Sequence, residues 1–416
     1  MSRPIEKPVS RKTKLLIVCI SILIGLFFAE IALRVVGYYY PIFYTTDWDR
    51  GYALKPYQEG WYRKEGASYV RINSEGLRDR EHNVEKPANT FRIAVIGDSY
   101  AEAFQVDMSK AFWVLMERDL KQCTAINGRQ VEVINFGVSG YSTAQELLTL
   151  RQKVWAYKPD VVLLAFTTNN DVTDNSRALK KTDEIPYFVH RGGQLVLDNS
   201  FRDVNSFKWR NSKLNTLGRW LRDNLRILHL IHHAQVGIKT YLKSKEETEP
   251  APQQPALQPP APENKPAQTP STVVSEIGIE NQIYTEPKDT VWLEAWRVTE
   301  SLLVEMNKEV KEGNAKFFVV TLSNGIQVVP NVEWRNNFMK KIGVTDLFYP
   351  DFRVKSLGER EGFPVYTLAP ELKQYADKNQ IFLHGFDGKG NGHWNADGHR
   401  IAGELITKRL CEVISR

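Results

Sequence analysis

The sequence has few of the residues that build metal, cofactor or nucleic-acid sites. Its 416 residues include three cysteines, eight histidines and five methionines, and none of the cysteines and histidines fall at the spacing of a zinc site. A phosphate-binding glycine loop is also lacking. The net charge of +6 is small for this length and gives no indication of nucleic acid. We therefore expect no metal, no cofactor and no nucleic-acid partner.

A single apolar run stands out near the amino terminus. Residues 15–29 are apolar or small throughout, and with the apolar residues that follow they supply the roughly 22 residues that cross a bilayer core as a helix. Basic residues precede the run and three tyrosines follow it, the pattern of a helix with a cytoplasmic amino-terminal end. The rival interpretation is a cleaved signal peptide, which the length of the run and the lack of an A-x-A site disfavour.

These features predict a cytoplasmic tail over residues 1–14 and a transmembrane anchor over residues 15–37. The remainder would lie on the periplasmic side of the inner membrane, as the exported part of a single-pass protein. Residues 38–89 show neither the period of a strand nor that of a helix, and we interpret them as a neck that packs against the main domain and can border its site.

Strands and helices alternate from residue 90 to the end of the chain. The pattern predicts strands at about 92–96, 131–136, 161–166, 316–322 and 364–368, and helices at about 109–121, 143–157, 291–311, 334–341 and 396–414. Such alternation indicates the α/β class, with a central parallel sheet between two layers of helices. We therefore expect one α/β/α domain over residues 90–416, preceded by one transmembrane helix.

Two segments interrupt the alternation. Residues 202–245 are basic and carry leucines at helical spacing, so they form either an amphipathic helix packed on its own domain or a helix whose basic face lies on an anionic membrane. Residues 249–270 are rich in Pro, Gln and Ala and cannot bury a core, which predicts an extended, disordered insertion within the domain.

Polar residues and glycines collect where the predicted strands end. The first strand leads into Gly97-Asp-Ser99, the second into Asn135-Phe-Gly-Val-Ser-Gly140, and the third into Thr167-Thr-Asn-Asn-Asp171. A fourth group, Gly392-His-Trp-Asn-Ala-Asp-Gly-His399, precedes the last helix. Because the carboxyl ends of parallel strands share one edge of a sheet, where open α/β folds build their sites, we expect these loops to meet.

This set of loops resembles the blocks of the SGNH (GDSL-like) hydrolase superfamily of esterases, lipases and acyl-processing enzymes. The resemblance covers about residues 91–175 and 380–415, and it implies a flavodoxin-like sheet. It also implies that Ser99 is the nucleophile and His393 the base that takes its proton. The backbone N–H groups of Ser99 and Gly140 and the side-chain amide of Asn170 would form the oxyanion hole.

The sequence departs from the family pattern at the acid of the triad. The family usually has an aspartate three residues before the histidine, where this chain has Gly390. Asp387 is the nearest preceding carboxylate, six residues before His393. Either Asp387 or a backbone carbonyl would then orient the imidazole. A smaller departure is Thr168, which replaces a glycine of the third block.

The resemblance implies a membrane-anchored, bacterial-type serine esterase of periplasmic location. We expect it to remove a small acyl group, such as acetyl, from a cell-envelope glycan or lipid through an acyl-Ser99 intermediate. One alternative is an O-acyltransferase that uses the same site on an envelope polysaccharide. The other is a catalytically decayed scaffold or glycan-binding module, which the missing aspartate favours. The sequence leaves the oligomeric state open.

Two cysteines, Cys123 and Cys411, lie in the part expected to be exported, where a disulfide persists. Cys123 follows the first helix of the predicted domain and Cys411 lies near the end of the last. In a doubly wound sheet of this type both helices flank one face, with their carboxyl ends together at the edge opposite the site. Two open alternatives remain: a disulfide between them, or two unpaired buried thiols.

Overall fold

The computed structural model describes residues 10–248, 281–388 and 390–415. The described residues up to Ile42 and those from Asn211 to Thr248 form one compact unit, and the remaining described residues form a second, larger one. The predicted proline-rich insertion, residues 249–270, lies outside the described residues. The division of the chain into tail, anchor, neck and hydrolase domain stays a prediction.

The elements alternate through most of the larger unit. The strands are β1 (Tyr44–Asp47), β2 (Gly51–Leu54), β3 (Glu59–Tyr62), β4 (Ser68–Arg71), β5 (Thr90–Gly97), β6 (Gln130–Asn135), β7 (Val161–Thr167), β8 (Tyr187–Arg191), β9 (Gln194–Asp198), β10 (Lys316–Leu322) and β11 (Val365–Thr367). The α-helices within the described residues are α1 (Arg11–Val35), α2 (Ser99–Glu102), α3 (Phe112–Leu120), α4 (Thr143–Gln152), α5 (Asn170–Thr173), α6 (Arg177–Lys180), α7 (Asn205–Arg210), α8 (Lys213–Asn224), α9 (Arg226–Thr248), α10 (Thr290–Glu312), α11 (Gly325–Val328), α12 (Val332–Ile342), α13 (Tyr349–Glu361), α14 (Ala369–Asn379) and α15 (Ala396–Ser415).

Five strands form one parallel sheet in the spatial order β6-β5-β7-β10-β11. This is the flavodoxin-like order, in which connections lead to opposite sides of β5 and leave a crevice at the carboxyl ends of β5 and its neighbours. Ser99 follows β5 and Asn170 follows β7, and β5 and β7 pair directly. The predicted α/β class and parallel sheet are confirmed.

The sheet is covered by helices on both faces, so that its strands are apolar at almost every position. In β5, Ile93 and Val95 face one core and Ala94 and Ile96 face the other. The first core is completed by buried residues of α3, α14 and α15 and the second by residues of α4, α10 and α13. This confirms the three-layer arrangement.

Several elements of the larger unit were not predicted. The expected neck contains two antiparallel hairpins, β1–β2 and β3–β4, whose strands have only four residues each. A third hairpin, β8–β9, and the helices α13 and α14 were also missed. Strands of four or five residues offer too few alternations for their period to be recognised in the sequence.

Cys123 and Cys411 form a disulfide, with their Cα atoms 5.8 Å apart and a sequence separation of 288. Cys123 lies just after α3, and Cys411 lies in α15, which packs along α3 against the same face of the sheet. The bridge ties the final helix to the helix that follows the Ser99 loop.

The smaller unit consists of α1, α8 and α9. Helix α1 is the one helix among the described residues that is long and apolar enough to cross a membrane, and its apolar side chains are exposed. Near its end, the Glu30 carboxylate accepts hydrogen bonds from the backbone N–H groups of Arg226 and Ile227 at the start of α9. Length and composition suit a membrane span or a signal sequence.

Candidate active site

Ser99 lies at the carboxyl edge of the parallel sheet, directly after β5. Asp98 caps the short helix α2 by accepting a hydrogen bond from the backbone N–H of Tyr100 at 3.0 Å. This turn fixes the Ser99 hydroxyl at the edge of the crevice, and only 4% of the residue is exposed. Ser99 is thus a mostly covered hydroxyl.

The imidazole of His393 lies between Ser99 and a carboxylate. Its Nε2 is 2.7 Å from Oγ of Ser99, and its Nδ1 is 2.5 Å from Oε2 of Glu65. The other carboxylate oxygen of Glu65 accepts the backbone N–H of His393 at 2.7 Å. The three side chains therefore form a continuous hydrogen-bonded row, the arrangement of a serine, a base and an orienting acid.

The acid in this row is not the predicted one. The sequence predicts that Asp387 or a backbone carbonyl orients His393, whereas Nδ1 contacts the carboxylate of Glu65, at the tip of the β3–β4 hairpin. Asp387 lies on an exposed loop six residues before the histidine. Gly392 has a φ of +85°, and a Cβ atom there would lie 2.2 Å from Oε1 of Glu65. A glycine before His393 is thus required for the carboxylate to reach both nitrogens.

The row changes the acid–base properties of its members. Burial lowers the pKa of His393, but the hydrogen bond and the negative charge of Glu65 outweigh burial, so that this pKa is raised above its ordinary value. For Glu65, burial raises the pKa, and the interactions with His393 reverse the effect and lower it. Glu65 is therefore a carboxylate that stabilises the protonated imidazole.

The expected oxyanion donors lie around the same crevice. Ser99 begins α2, and the first N–H groups of a helix have no partner within it. The backbone N–H of Gly140 has no acceptor among the residues that the structure describes. Gly140 has a φ of +75°, and a Cβ atom there would lie 2.9 Å from the Tyr52 hydroxyl, which donates to the Ser139 carbonyl.

Asn170, the third expected donor, is held by a buried carboxylate. Its side-chain amide donates to Oδ2 of Asp98 at 2.9 Å, and its amide oxygen accepts a hydrogen bond from Asn169 at 3.3 Å. These two contacts fix which end of the amide carries the N–H groups. Since the amide nitrogen has two hydrogens, one stays available for a ligand in the crevice, which Asn170 lines.

Two buried charged residues that the sequence did not single out hold the loops around Ser99. Glu102 accepts hydrogen bonds from the Ser139 backbone N–H at 3.0 Å and from the Tyr44 hydroxyl. Its burial raises its pKa to about 7. Arg78 donates to the carbonyls of Glu102, Ala103 and Val106. Both residues fix the turn between Ser99 and the loop of Gly140.

Two further buried histidines, His384 and His399, have structural positions near this site. His384 is buried, with Nδ1 2.7 Å from the Gly392 carbonyl and Nε2 2.9 Å from Oγ of Ser323, and its burial lowers its pKa to about 4. It thereby braces the loop that carries His393. Burial likewise lowers the pKa of His399 to about 3, and this side chain stacks on Phe112 in the core. Neither contacts Ser99.

A cavity of about 320 Å³ opens beside Ser99. It is lined by Ser99, Ser139, Gly140, Asn170, Thr173, Asp174, Leu179, Lys180 and His393. Only Leu179 among these has a large apolar side chain, and Lys180 is paired with Asp174 at the wall. In the described residues, no group of three or more His, Cys, Asp or Glu could hold a metal ion.

Comparison with known proteins gives similarity only at the level of solved structures. No protein-family model matches the chain, and no curated protein matches it. An acetyl xylan esterase, AlAXEase, has a TM-score of 0.37 and 13% identity, covering 77% of this chain and 100% of its own. LAE5, an α/β hydrolase from the metagenome of Lake Arreo, Spain, has a TM-score of 0.36 and 12% identity, and the alignment covers 80% of this chain and 99% of LAE5. Axe2, an acetylxylan esterase from Geobacillus stearothermophilus, has a TM-score of 0.35 and 13% identity, and the alignment covers 77% of this chain and 94% of Axe2. These values are too low to assign a function to the chain.

Proposed function

We propose that the chain is a serine esterase of the SGNH type that removes a small acyl group through an acyl-Ser99 intermediate. The observation that carries the proposal is the hydrogen-bonded row Ser99–His393–Glu65 at the carboxyl edge of the sheet. A serine hydroxyl is a poor nucleophile unless a neighbouring base accepts its proton, and His393 is within hydrogen-bond distance to do so.

In the first step, Oγ of Ser99 attacks the ester carbonyl while its proton passes to Nε2 of His393. Glu65 stabilises the resulting imidazolium across Nδ1. The carbonyl oxygen becomes an oxyanion, which the N–H groups of Ser99, Gly140 and Asn170 can stabilise, and one such donor contributes on the order of 3 kcal/mol. Collapse of this intermediate breaks the ester bond, and Nε2 returns the proton to the leaving alcohol.

In the second step, Nε2 of His393 takes a proton from water, and the hydroxide attacks the acyl-Ser99 carbonyl. The same donors stabilise the second oxyanion. The bond between Oγ and the acyl carbon then breaks, Ser99 regains its proton from His393, and the carboxylic acid leaves. No cofactor enters either step, so the residues of the row and the oxyanion donors suffice.

The cavity supports a short acyl group on a polar substrate. Its volume of about 320 Å³ and its wall, in which Leu179 is the only large apolar side chain, suit an acetyl ester on a sugar better than a long alkyl chain, which would need an apolar channel. We therefore propose an acylated envelope glycan or a lipid headgroup as substrate. The exposed apolar helix α1 supports a membrane anchor, with the esterase unit on the periplasmic side of the inner membrane.

Labelling with a fluorophosphonate tests the nucleophile, since only an activated serine reacts. The wild type should be labelled and should release acid from acetylated oligosaccharides, and Ser99→Ala should lose both activities while keeping its thermal unfolding temperature. Ser109→Ala, which removes an exposed hydroxyl bonded to Asp107, is the matched control and should keep them. An unlabelled wild type would favour a decayed scaffold, and an active Ser99→Ala enzyme would remove Ser99 as nucleophile.

The acyltransferase alternative uses the same acyl-Ser99 intermediate but passes it to a sugar hydroxyl. Product analysis with and without an unacetylated oligosaccharide separates the two activities. A hydrolase releases free acid at the same rate in both cases, whereas a transferase transfers the acyl group to the added acceptor. Ser99→Ala is inactive in both cases, so the nucleophile and the acceptor are tested independently.

A further inference from the structure

Helix α8 has an exposed apolar face and a partly buried polar face. This is the reverse of a helix that packs on a globular core. Leu214, Leu217, Trp220 and Leu221 lie on one face, with exposed fractions of 66%, 55%, 59% and 38%. Asn215, Arg219, Arg222 and Asp223, on the opposite face, are partly buried. A face of this kind is normally buried against another apolar surface.

The position of α8 is fixed relative to the end of α1. The Arg34 guanidinium, in the last turn of α1, donates to the carbonyl of Asn224 at the end of α8 with a distance of 2.6 Å. One turn earlier, Glu30 caps the start of α9. The junction of α8 and α9 therefore lies beside residues 30–34, in the last turns of α1.

Charge and aromatic residues around this junction suit the interface of a bilayer. Arg226 lies over the ring of Tyr39, 4.2 Å from its centroid, and α8 carries Lys213, Arg219 and Arg222 against one aspartate. Basic and tyrosine side chains are typical of the boundary between lipid headgroups and acyl chains. An amphipathic helix at that depth buries its apolar side about 5–10 Å into the boundary.

We propose that α8 lies in the outer interface of the membrane that α1 spans, with Leu217 and Trp220 among the lipid acyl chains. The partner is an anionic phospholipid bilayer. The inference rests on the proposed membrane span of α1 and is independent of the esterase activity. Of the two alternatives left open for residues 202–245, it selects the membrane for α8, with its apolar face and not its basic face against the lipid.

Nitroxide quenching of a fluorophore in lipid tests this arrangement on the full chain. Two variants, Leu217→Cys and Arg219→Cys, are made with Cys19→Ser, labelled with an environment-sensitive fluorophore without reductant, and placed in phosphatidylcholine–phosphatidylglycerol nanodiscs. Nitroxide-bearing lipids should quench the label at residue 217 about twofold or more and that at residue 219 far less, because the two side chains lie on opposite faces. Unchanged thermal unfolding of both variants excludes misfolding.

Each other outcome overturns the proposal in a distinct way. Equal, weak quenching at both positions, with the protein retained in nanodiscs, would place α8 in water and leave the membrane span intact. A blue-shifted but unquenched label at residue 217 would mean that protein, either another segment of this chain or a second copy, covers the apolar face. Loss of the protein from the nanodiscs would overturn the membrane span as well.

Discussion

Replacement of Glu65 by glutamine tests the least expected member of the site. The carboxylate accepts two hydrogen bonds, one from Nδ1 of His393 and one from its backbone N–H. Glutamine offers a single oxygen, so its NH₂ group must face one of the two donors. Either the backbone N–H loses its partner, or the imidazole adopts the tautomer with hydrogen on Nε2, which cannot accept a proton from Ser99.

The size of the effect follows from the charge that is lost. A hydrogen bond to a charged group contributes about 1.5–3 kcal/mol, and the bond to Nδ1 strengthens as the imidazole becomes positive in the transition state. Loss of this bond and of the productive tautomer should lower kcat by about 10²- to 10⁴-fold, the upper end being the roughly 10⁴-fold loss seen when the aspartate of a serine triad is replaced. This corresponds to about 3–5 kcal/mol of transition-state stabilisation.

The pH dependence separates a role through His393 from a purely structural one. As the base, His393 must be neutral, so kcat/KM rises with pH through its pKa. Glu65 raises that pKa above its ordinary value, and the rise in activity should therefore be centred above pH 6.5 in the wild type. In Glu65→Gln the stabilising charge is gone, so the rise should move to lower pH while the plateau falls.

Two control variants show whether the effect of Glu65→Gln is specific to the contact with His393. Glu59→Gln alters the same hairpin at an exposed ion pair with Arg71 and should leave both kcat and the pH profile unchanged. Asp387→Asn should behave in the same way. If Glu65→Gln kept the wild-type rate and profile while Asp387→Asn lost activity, Asp387 would be the acid and the contact of Glu65 with His393 would have no catalytic meaning.

The two remaining predictions concern a histidine pair and the disulfide. His393→Ala should lower kcat per folded enzyme far more than His399→Ala, whose main effect should be a lower unfolding temperature, since His399 lies in the core; the reverse order of the kcat values would exclude His393 as the base. Reduction of Cys123–Cys411 should lower the free energy of unfolding by up to about 6 kcal/mol, the chain-entropy value for a loop of this length. Denaturant titration with thiols counted by mass measures this loss, and an unchanged midpoint with both thiols free would show that the bridge contributes nothing.

The parallel sheet could be predicted because its strands carry their own signal. β5, β7 and β10 are buried on both faces, and such strands are apolar runs that sequence alone reveals. Their order followed from the resemblance to a known family. The hairpins of residues 44–71 could not be predicted, since four-residue strands with half-exposed side chains have no distinct period.

The same contrast holds for the site. Ser99, Gly140 and Asn170 follow predicted strands, and the geometry of a parallel sheet brings such positions together whatever the rest of the chain does. Glu65 contacts His393 across 328 residues of sequence, and no strand or helix period links the two loops. The available signal was indirect: Gly392 stands beside the base where a larger residue would exclude the carboxylate.

The origin of the acid also decides where the catalytic unit begins. An acid on the loop before His393 would leave residues 38–89 without a contact to the imidazole. Instead the β3–β4 hairpin supplies Glu65, and Ser68 of the same hairpin donates to the Phe104 carbonyl in the loop after the nucleophile. Arg78 donates to that loop as well. Each of these contacts holds a loop that borders Ser99 or His393, so the β3–β4 hairpin and Arg78 belong to the same structural unit as the candidate site.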